Sequence, residues 1–230
     1  VDGGHSVEHY YACHDKEQAD RIKILGTEML RGKLISDVGC GAGSFLDLVG
    51  IYASKTVAIE PCREYHPELE EKGHAVYSYT SDALRDYKRI VDVAVSFAVL
   101  EHVSDPLSFL KEIKQLLKPE GVLLLCTPNY DDWLIDFLPE SYAPFFFRNA
   151  HRWYFNGESI KRLAHFAGFN NQPSIQYVQR FDLSNTFHWV RDNMPTGLQK
   201  FTLFEDLDVT YQRHLARIGR SDYLYAWLQN

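Results

Sequence analysis

Residues 34–46 read Leu-Ile-Ser-Asp-Val-Gly-Cys-Gly-Ala-Gly-Ser-Phe-Leu, and no other stretch restricts the fold as tightly. A short apolar strand runs into Asp37, glycines follow at every second position (Gly39, Gly41, Gly43), and a helix-forming run starts at once. Glycine tolerates the positive φ of a tight turn and carries no Cβ to hold a ligand off the backbone. The unit is therefore strand, tight turn and helix, with bare backbone for a ligand to lie against. A dinucleotide fingerprint, G-x-G-x-x-G, would need a third glycine where Ser44 or Leu46 stands.

The remaining pattern alternates strands with helices. Helices are expected over 16–30 (Ala19, Ile22, Leu25 and Met29 on one face), 44–52 and 106–117, the last opened by the capping pair Asp105-Pro106. Strands are expected at 34–38, 56–60, 75–79, 91–99 and 122–127, with a turn over 118–121. The almost wholly apolar run 91–99 suits a parallel strand buried on both faces. Such alternation implies an α/β fold, a mostly parallel sheet with helices on both faces, whose ligands sit beyond the carboxyl ends of the strands. Residues 128–156 are irregular and rich in Pro, Asn and aromatics, and read as a lid over an acceptor. A helix at 157–167 and strands at 175–180 and 223–228 follow. Between those strands, 181–218 reads as an insertion whose second half, 203–218, is helical.

The 230 residues are read as one domain, with 1–32 as an N-terminal helical segment. A net charge of −7 speaks against a general nucleic-acid surface. No apolar run is long enough to span a membrane. Cys13, Cys40, Cys62 and Cys126 include no C-x-x-C pair, so neither a zinc site nor a disulfide framework is expected, and cytoplasmic is the default location. The chain opens Val1-Asp2-Gly3-Gly4, without Met, which leaves open that it is part of a longer polypeptide.

An Asp at the strand end before the loop suits a cationic amine better than a pyrophosphate. Glu60, at the tip of the second strand, suits two ribose hydroxyls, and Asp82, after the third, the amine of an adenine. Amine, ribose and adenine along three strand ends describe S-adenosylmethionine, with S-adenosylhomocysteine as its product.

These residues carry a resemblance. Asp37-Val38-Gly39-Cys40-Gly41-Ala42-Gly43, Ala58-Ile59-Glu60-Pro61, Ser81-Asp82-Ala83, Leu100-Glu101-His102-Val103-Ser104-Asp105-Pro106 and Leu117-Lys118-Pro119-Glu120-Gly121-Val122 resemble class I S-adenosylmethionine-dependent methyltransferases from about residue 10 to 170. Leu-Glu-His-Val-x-Asp-Pro with Thr127-Pro128-Asn129 and His151-x-x-Tyr154-Phe155 is similar to the subgroup of ubiquinone-type O-methyltransferases and many sugar-modifying enzymes. Gln179-Arg180-Phe181-x-Leu183-x-Asn185 with Trp189 looks similar to methyltransferases of cell-surface polysaccharide pathways. The resemblance implies a Rossmann-like three-layer sandwich, with a seven-stranded sheet of order 3-2-1-4-5-7-6 and one antiparallel strand. It adds Cys40, Pro61 and Ala83 to the donor-binding set.

Phe97 and Leu100 are strand core or line the methionine arm, and Tyr10 and Tyr11 are surface aromatics or close over the cofactor. For proton removal from an acceptor hydroxyl the candidates are His102, His151 and Glu101. Glu101 and His102 also suit a divalent metal, although no metal is assigned, and His102 also fits a loop residue bonded only to backbone. The aromatic run 133–147 reads as an acceptor lid or a dimer contact. The expected reaction is methyl transfer to a hydroxyl of a small molecule or glycan. A sugar of a nucleotide-sugar or surface-glycan intermediate comes first, a phenolic or quinone-type molecule second, and a cofactor-binding regulatory domain third.

Overall fold

The computed structural model describes residues 6–170, 172–194 and 201–230. Residues 195–200, inside the expected insertion, lie outside the described residues. The chain builds the expected sandwich around a seven-stranded sheet of order β3-β2-β1-β4-β5-β7-β6. In chain order these are β1 (Leu34–Val38), β2 (Lys55–Ile59), β3 (Ala75–Tyr77), β4 (Val91–Phe97), β5 (Leu117–Pro128), β6 (Ser174–Val178) and β7 (Tyr223–Gln229). β1 pairs in parallel with β2 and β4, placing Asp37 beside Ala58 and Val95. β7 alone runs against its neighbours, pairing antiparallel with both β5 and β6. It lies between them, so β7 and β6 form the antiparallel pair at that edge of the sheet, in the order expected.

Strand alternation divides the apolar residues between two cores. Val38, Ile59, Ala94, Leu123, Leu125 and Leu224 pack under α4 (Thr80–Tyr87), α5 (Pro106–Leu116) and α8 (Gly157–Ala167). Ile35, Val93, Val95, Leu124, Cys126 and Tyr225 face the other way. They lie under α1 (Val7–Leu25), α2 (Ser44–Val49) and α3 (His66–Glu71). Asp105 caps α5 as its sequence requires, accepting from the N–H groups of Leu107 and Ser108 at 3.0 and 3.2 Å.

The first helix departs most from expectation. α1 starts nine residues before the expected 16, at Val7 behind the cap Ser6, and stops at Gly26 with φ 84°. Its buried members are Gln18, Arg21 and Leu25. With Tyr10 and His14 they form a stripe at helical spacing that is largely polar, so apolar periodicity does not register it. β5 begins at Leu117, taking up the expected turn 118–121. Glu120 adopts φ 62° there, and the pairing with β4 shifts register between Val91 and Val93.

The segment after β5 holds two short helices, α6 (Trp133–Phe137) and α7 (Tyr142–Phe146). The insertion between β6 and β7 carries α9 (Leu183–Asp192), which was not expected, and α10 (Glu205–Ile218). Among the described residues no helix is long and apolar enough to cross a membrane.

Asn129, fully buried, ties the end of β5 to the approach to β7. Its amide donates to the carbonyls of Gly219 and Ser221 at 3.1 and 2.8 Å, and its Oδ1 accepts from the N–H of Asp131. Asn129→Ala strands three backbone groups, the Ser221 carbonyl in buried surroundings and the Gly219 carbonyl and Asp131 N–H part-buried. Denaturant unfolding should therefore show a loss of about 2–4 kcal/mol, since each unsatisfied buried group costs roughly 1–3 kcal/mol.

Candidate active site

The glycine loop adopts the conformation its sequence demands. Gly39, Gly41 and Gly43 have φ of 84°, 55° and 92°. All three are also held by space. A Cβ on Gly39 would lie 2.3 Å from Val99, one on Gly41 2.3 Å from the ring of Tyr10, and one on Gly43 2.5 Å from Leu69. Glu60 braces the loop, with Oε2 accepting from Gly41 N–H and Oε1 from Cys62 N–H, both at 2.8 Å. Each oxygen keeps a further lone pair for a ligand hydroxyl.

α1 lies across this loop. The Tyr10 hydroxyl donates to the carbonyl of buried Cys40 at 3.1 Å, and that of Tyr11 to the carbonyl of Ala42 at 2.8 Å. Ser44 donates to Asp15 at 2.5 Å. Tyr10 therefore covers the loop face, while Tyr11 stands at its rim beside Lys72 and Glu68.

Two buried atoms beneath α1 have no partner: Oδ1 of Asp37 and Nε of Arg21. Burial raises the Asp37 carboxyl to about 7; Arg21 works against that rise and Glu60 adds to it. The Arg21 guanidinium is held by Gln18 at 3.1 Å and Glu17 at 2.9 Å, and lies 4.5 Å from the centre of the Phe97 ring. A buried carboxylate oxygen and a buried guanidinium N–H, both without partners, are groups that an amino acid's ammonium and carboxylate would satisfy. Arg21 is not among the residues expected from the sequence.

The other expected donor residues are spread more widely. Phe97 is buried against Phe45 and Arg21. Pro61 is exposed in the turn after β2. Asp82 and Ala83 fall in the first turn of α4, Asp82 half-buried and Ala83 fully buried. Leu100 belongs to the core under α5.

A second group forms beyond β4. Ala98 adopts φ 56°, an uncommon conformation for a residue with a side chain, and turns the chain so that Glu101 is buried. The Glu101 carbonyl accepts from the N–H groups of Arg152 and Trp153, which brings the 149–155 segment onto it. Its Oε2 accepts from Thr127 at 3.0 Å, while Oε1 is buried without a partner. Burial pushes this carboxyl up to about 7.

His102 is fixed by Nδ1 against the Ala150 carbonyl at 2.9 Å, so the neutral ring donates there and keeps its Nε2 lone pair bare. The rings of His102 and His151 meet edge to face at 4.8 Å. Nδ1 of His151 is buried without a partner, and burial, with His102 and Arg148 nearby, lowers that imidazole to about 4. One ligand atom from each of Glu101, His102 and His151 lies within 4.8 Å of the others. All three candidates for proton transfer are therefore brought together, as a set able to hold a proton or a divalent cation. A surface groove of about 680 Å³ lies at the opposite end of the sheet, along 50–56 and 72–74, and includes none of these residues.

The family model "Methyltransferase domain" matches residues 9–174. The chain belongs to the class I S-adenosylmethionine-dependent methyltransferases. The methyltransferase is 33% identical over 112 residues to the ubiquinone biosynthesis O-methyltransferase of Actinobacillus pleuropneumoniae serotype 5b (strain L20), covering 44% of this chain and 47% of that one. It is 31% identical over 126 residues to the enzyme of the same name from Ruegeria pomeroyi, covering 52% and 48%. The chain thus spans about half the length of the curated relatives it matches.

Solved structures share the fold at low identity. A SAM-dependent methyltransferase from Archaeoglobus fulgidus superposes with a TM-score of 0.66 at 15% identity, covering 97% of both chains. The 1,6-didemethyltoxoflavin-N1-methyltransferase of Burkholderia thailandensis, solved with its substrate and S-adenosylhomocysteine, gives 0.58 at 16% identity, covering 100% of this chain and 93% of that one.

The Asp37 shift has a defined sign. Its folded value of about 7 lies above the ordinary 3.8, so the folded state holds this proton more tightly and loses stability as pH rises from about 4 to 7. Asp37→Asn should remove that slope and melt no lower than the wild type at pH 8 without ligand. Calorimetry should nevertheless show S-adenosylmethionine binding weakened about tenfold or more, the loss of one charged hydrogen bond.

Proposed function

We propose that the methyltransferase moves the methyl group of S-adenosylmethionine onto a hydroxyl oxygen of a sugar. The donor supplies a methyl on a sulfonium, with a neutral thioether as leaving group. On this reading Asp37 takes its ammonium, Arg21 its carboxylate, Glu60 the ribose hydroxyls and Asp82 the adenine amine. The protein then has two tasks: to align the acceptor oxygen and to take its proton. Glu101, His102 and His151 are assigned the second. A carboxylate poised near neutrality and an imidazole kept neutral by burial are ready acceptors. The same three atoms would hold a divalent cation, which lowers the pKa of a bound hydroxyl.

The observation that carries the sugar reading is the fate of the aromatic run. Leu134, Tyr142, Phe146 and Trp189 pack into a core of their own, with Trp133 and Tyr154 against it. These rings pack on one another, while Phe137, Phe145 and Phe147 of the same run stay exposed. The polar groups at this end of the sheet are Glu101, His102 and His151, with Arg180 after β6 and Asp222 before β7. A polyhydroxylated acceptor suits them better than a flat ring. A phenolic acceptor is the second reading, supported by the names of the curated relatives.

Glu101→Gln, His102→Ala and His151→Ala should be compared in a methyl-transfer assay on nucleotide sugars and on catechols. At least one should lose about a hundredfold in kcat, the scale of one lost proton acceptor, with S-adenosylmethionine affinity within about threefold of the wild type. Full turnover in all three would defeat the assignment. A chelator should abolish activity, reversibly by divalent cations, if the trio works through a metal, and leave it unchanged if it works as a base.

A further inference from the structure

We propose that Arg180 seats an anionic group, carboxylate or phosphate, carried by the acceptor. The inference rests on the hydroxyl-methylation reading and extends it to the acceptor's chemistry.

Arg180 follows β6 and is fixed along one edge only. Asp222 accepts from its backbone N–H and from Nε, both at 2.8 Å. Asp222 is itself buried and tied into the sheet end, its N–H donating to Gln179 and its carbonyl accepting from Asn129. One face of the guanidinium lies 3.5 Å from the centre of the Tyr223 ring. The head group is therefore held in place before any ligand arrives.

Its other edge is different. Nη1 stands 3.7 Å from Oε1 of Glu17, beyond hydrogen-bond distance, and the side chain is about one-third exposed at 32%. The second oxygen of that same Glu17 carboxylate binds Arg21 at 2.9 Å. Two arginines thus flank one carboxylate, Arg21 over Phe97 on the donor side and Arg180 over Tyr223 on the other. Tyr223 pairs with Pro128, next to Thr127, whose hydroxyl binds Glu101. An anion set against the Nη edge of Arg180 would face the region between the bound methionine arm and the Glu101 cluster. Glu17 is a loose placeholder there, and an acceptor anion would leave it to Arg21 alone. A planar guanidinium whose Nη edge is met only by this long ion pair suits a two-point contact with carboxylate or phosphate oxygens.

The test uses the protein loaded with S-adenosylhomocysteine and matched probes that differ in charge. These are D-glucuronate and D-glucose 6-phosphate against D-glucose, and 3,4-dihydroxybenzoate against catechol, titrated calorimetrically. In at least one comparison the charged member should bind about tenfold tighter than the neutral one, and the member preferred tells carboxylate from phosphate. Arg180→Gln should abolish that preference while S-adenosylhomocysteine affinity stays within about threefold, and Arg180→Lys should keep part of it. Glu17→Gln leaves the Asp222 tether intact and should tighten the charged probe about twofold or more by removing a competing carboxylate. Absence of any charge preference in the wild type, an unchanged preference in Arg180→Gln, or weaker binding in Glu17→Gln would overturn the proposal. Methyl transfer to a neutral hydroxyl with no charge preference would reject the role of Arg180 and leave the hydroxyl reading standing.

Discussion

A carboxylate oxygen with nothing to bond to, sealed at the end of a central strand, sets the terms for everything around it. Desolvating Asp37 without pairing it is costly, and its raised pKa is the record of that cost. The fold accepts this because neighbouring elements are built to hold a ligand rather than to neutralise the group. Glu60 spends its hydrogen bonds on the loop backbone, keeping the turn open beside Asp37. Arg21 comes close enough to moderate the charge, yet spends its own bonds on Gln18 and Glu17. An amino acid's two charged ends would complete both residues at once.

The groups proposed for the two halves of the reaction sit in different parts of the chain. Those proposed for the donor stand on the first strand ends, where a parallel sheet places them by register, and on α1. Acceptor-side groups depend on longer excursions: the turn at Ala98, the docking of 149–155 on the Glu101 carbonyl, and the insertion that delivers β7 between β5 and β6. That division is expected where one scaffold serves many substrates.

Legibility in the sequence follows the same line. Strand ends were readable because glycine, acid and proline punctuate them: Asp37 with its three glycines, Glu60 before Pro61, and Asp105 capping α5. Glu101, His102 and His151 were readable as chemistry, although nothing in their spacing says that backbone bonds from Arg152 and Trp153 would bring them together. Arg21 escaped because its helix was traced through apolar positions, whereas the face turned inward is Tyr10, His14, Gln18 and Arg21. The aromatic run is ambiguous for the converse reason. Ring-rich sequence signals burial, but not whether the rings bury against a ligand or against each other, as Tyr142 and Trp189 do at 5.1 Å.

The inward polarity of α1 has a thermodynamic consequence. A helix that seals a cleft with leucines and isoleucines must expose that hydrocarbon when it lifts, at about 25 cal/mol for each Å². Of the apolar residues of α1 only Leu25, at its far end, is fully buried; the hydrogen bonds that tie α1 to the loop, from the Tyr10 and Tyr11 phenols and through Asp15, are ones that water can replace. The amino-terminal turns can therefore peel back from the glycine loop while Leu25 stays seated as a pivot. Because Tyr10 fills the space against Gly41, lifting these turns would uncover that face of the loop, a local opening far smaller than unfolding.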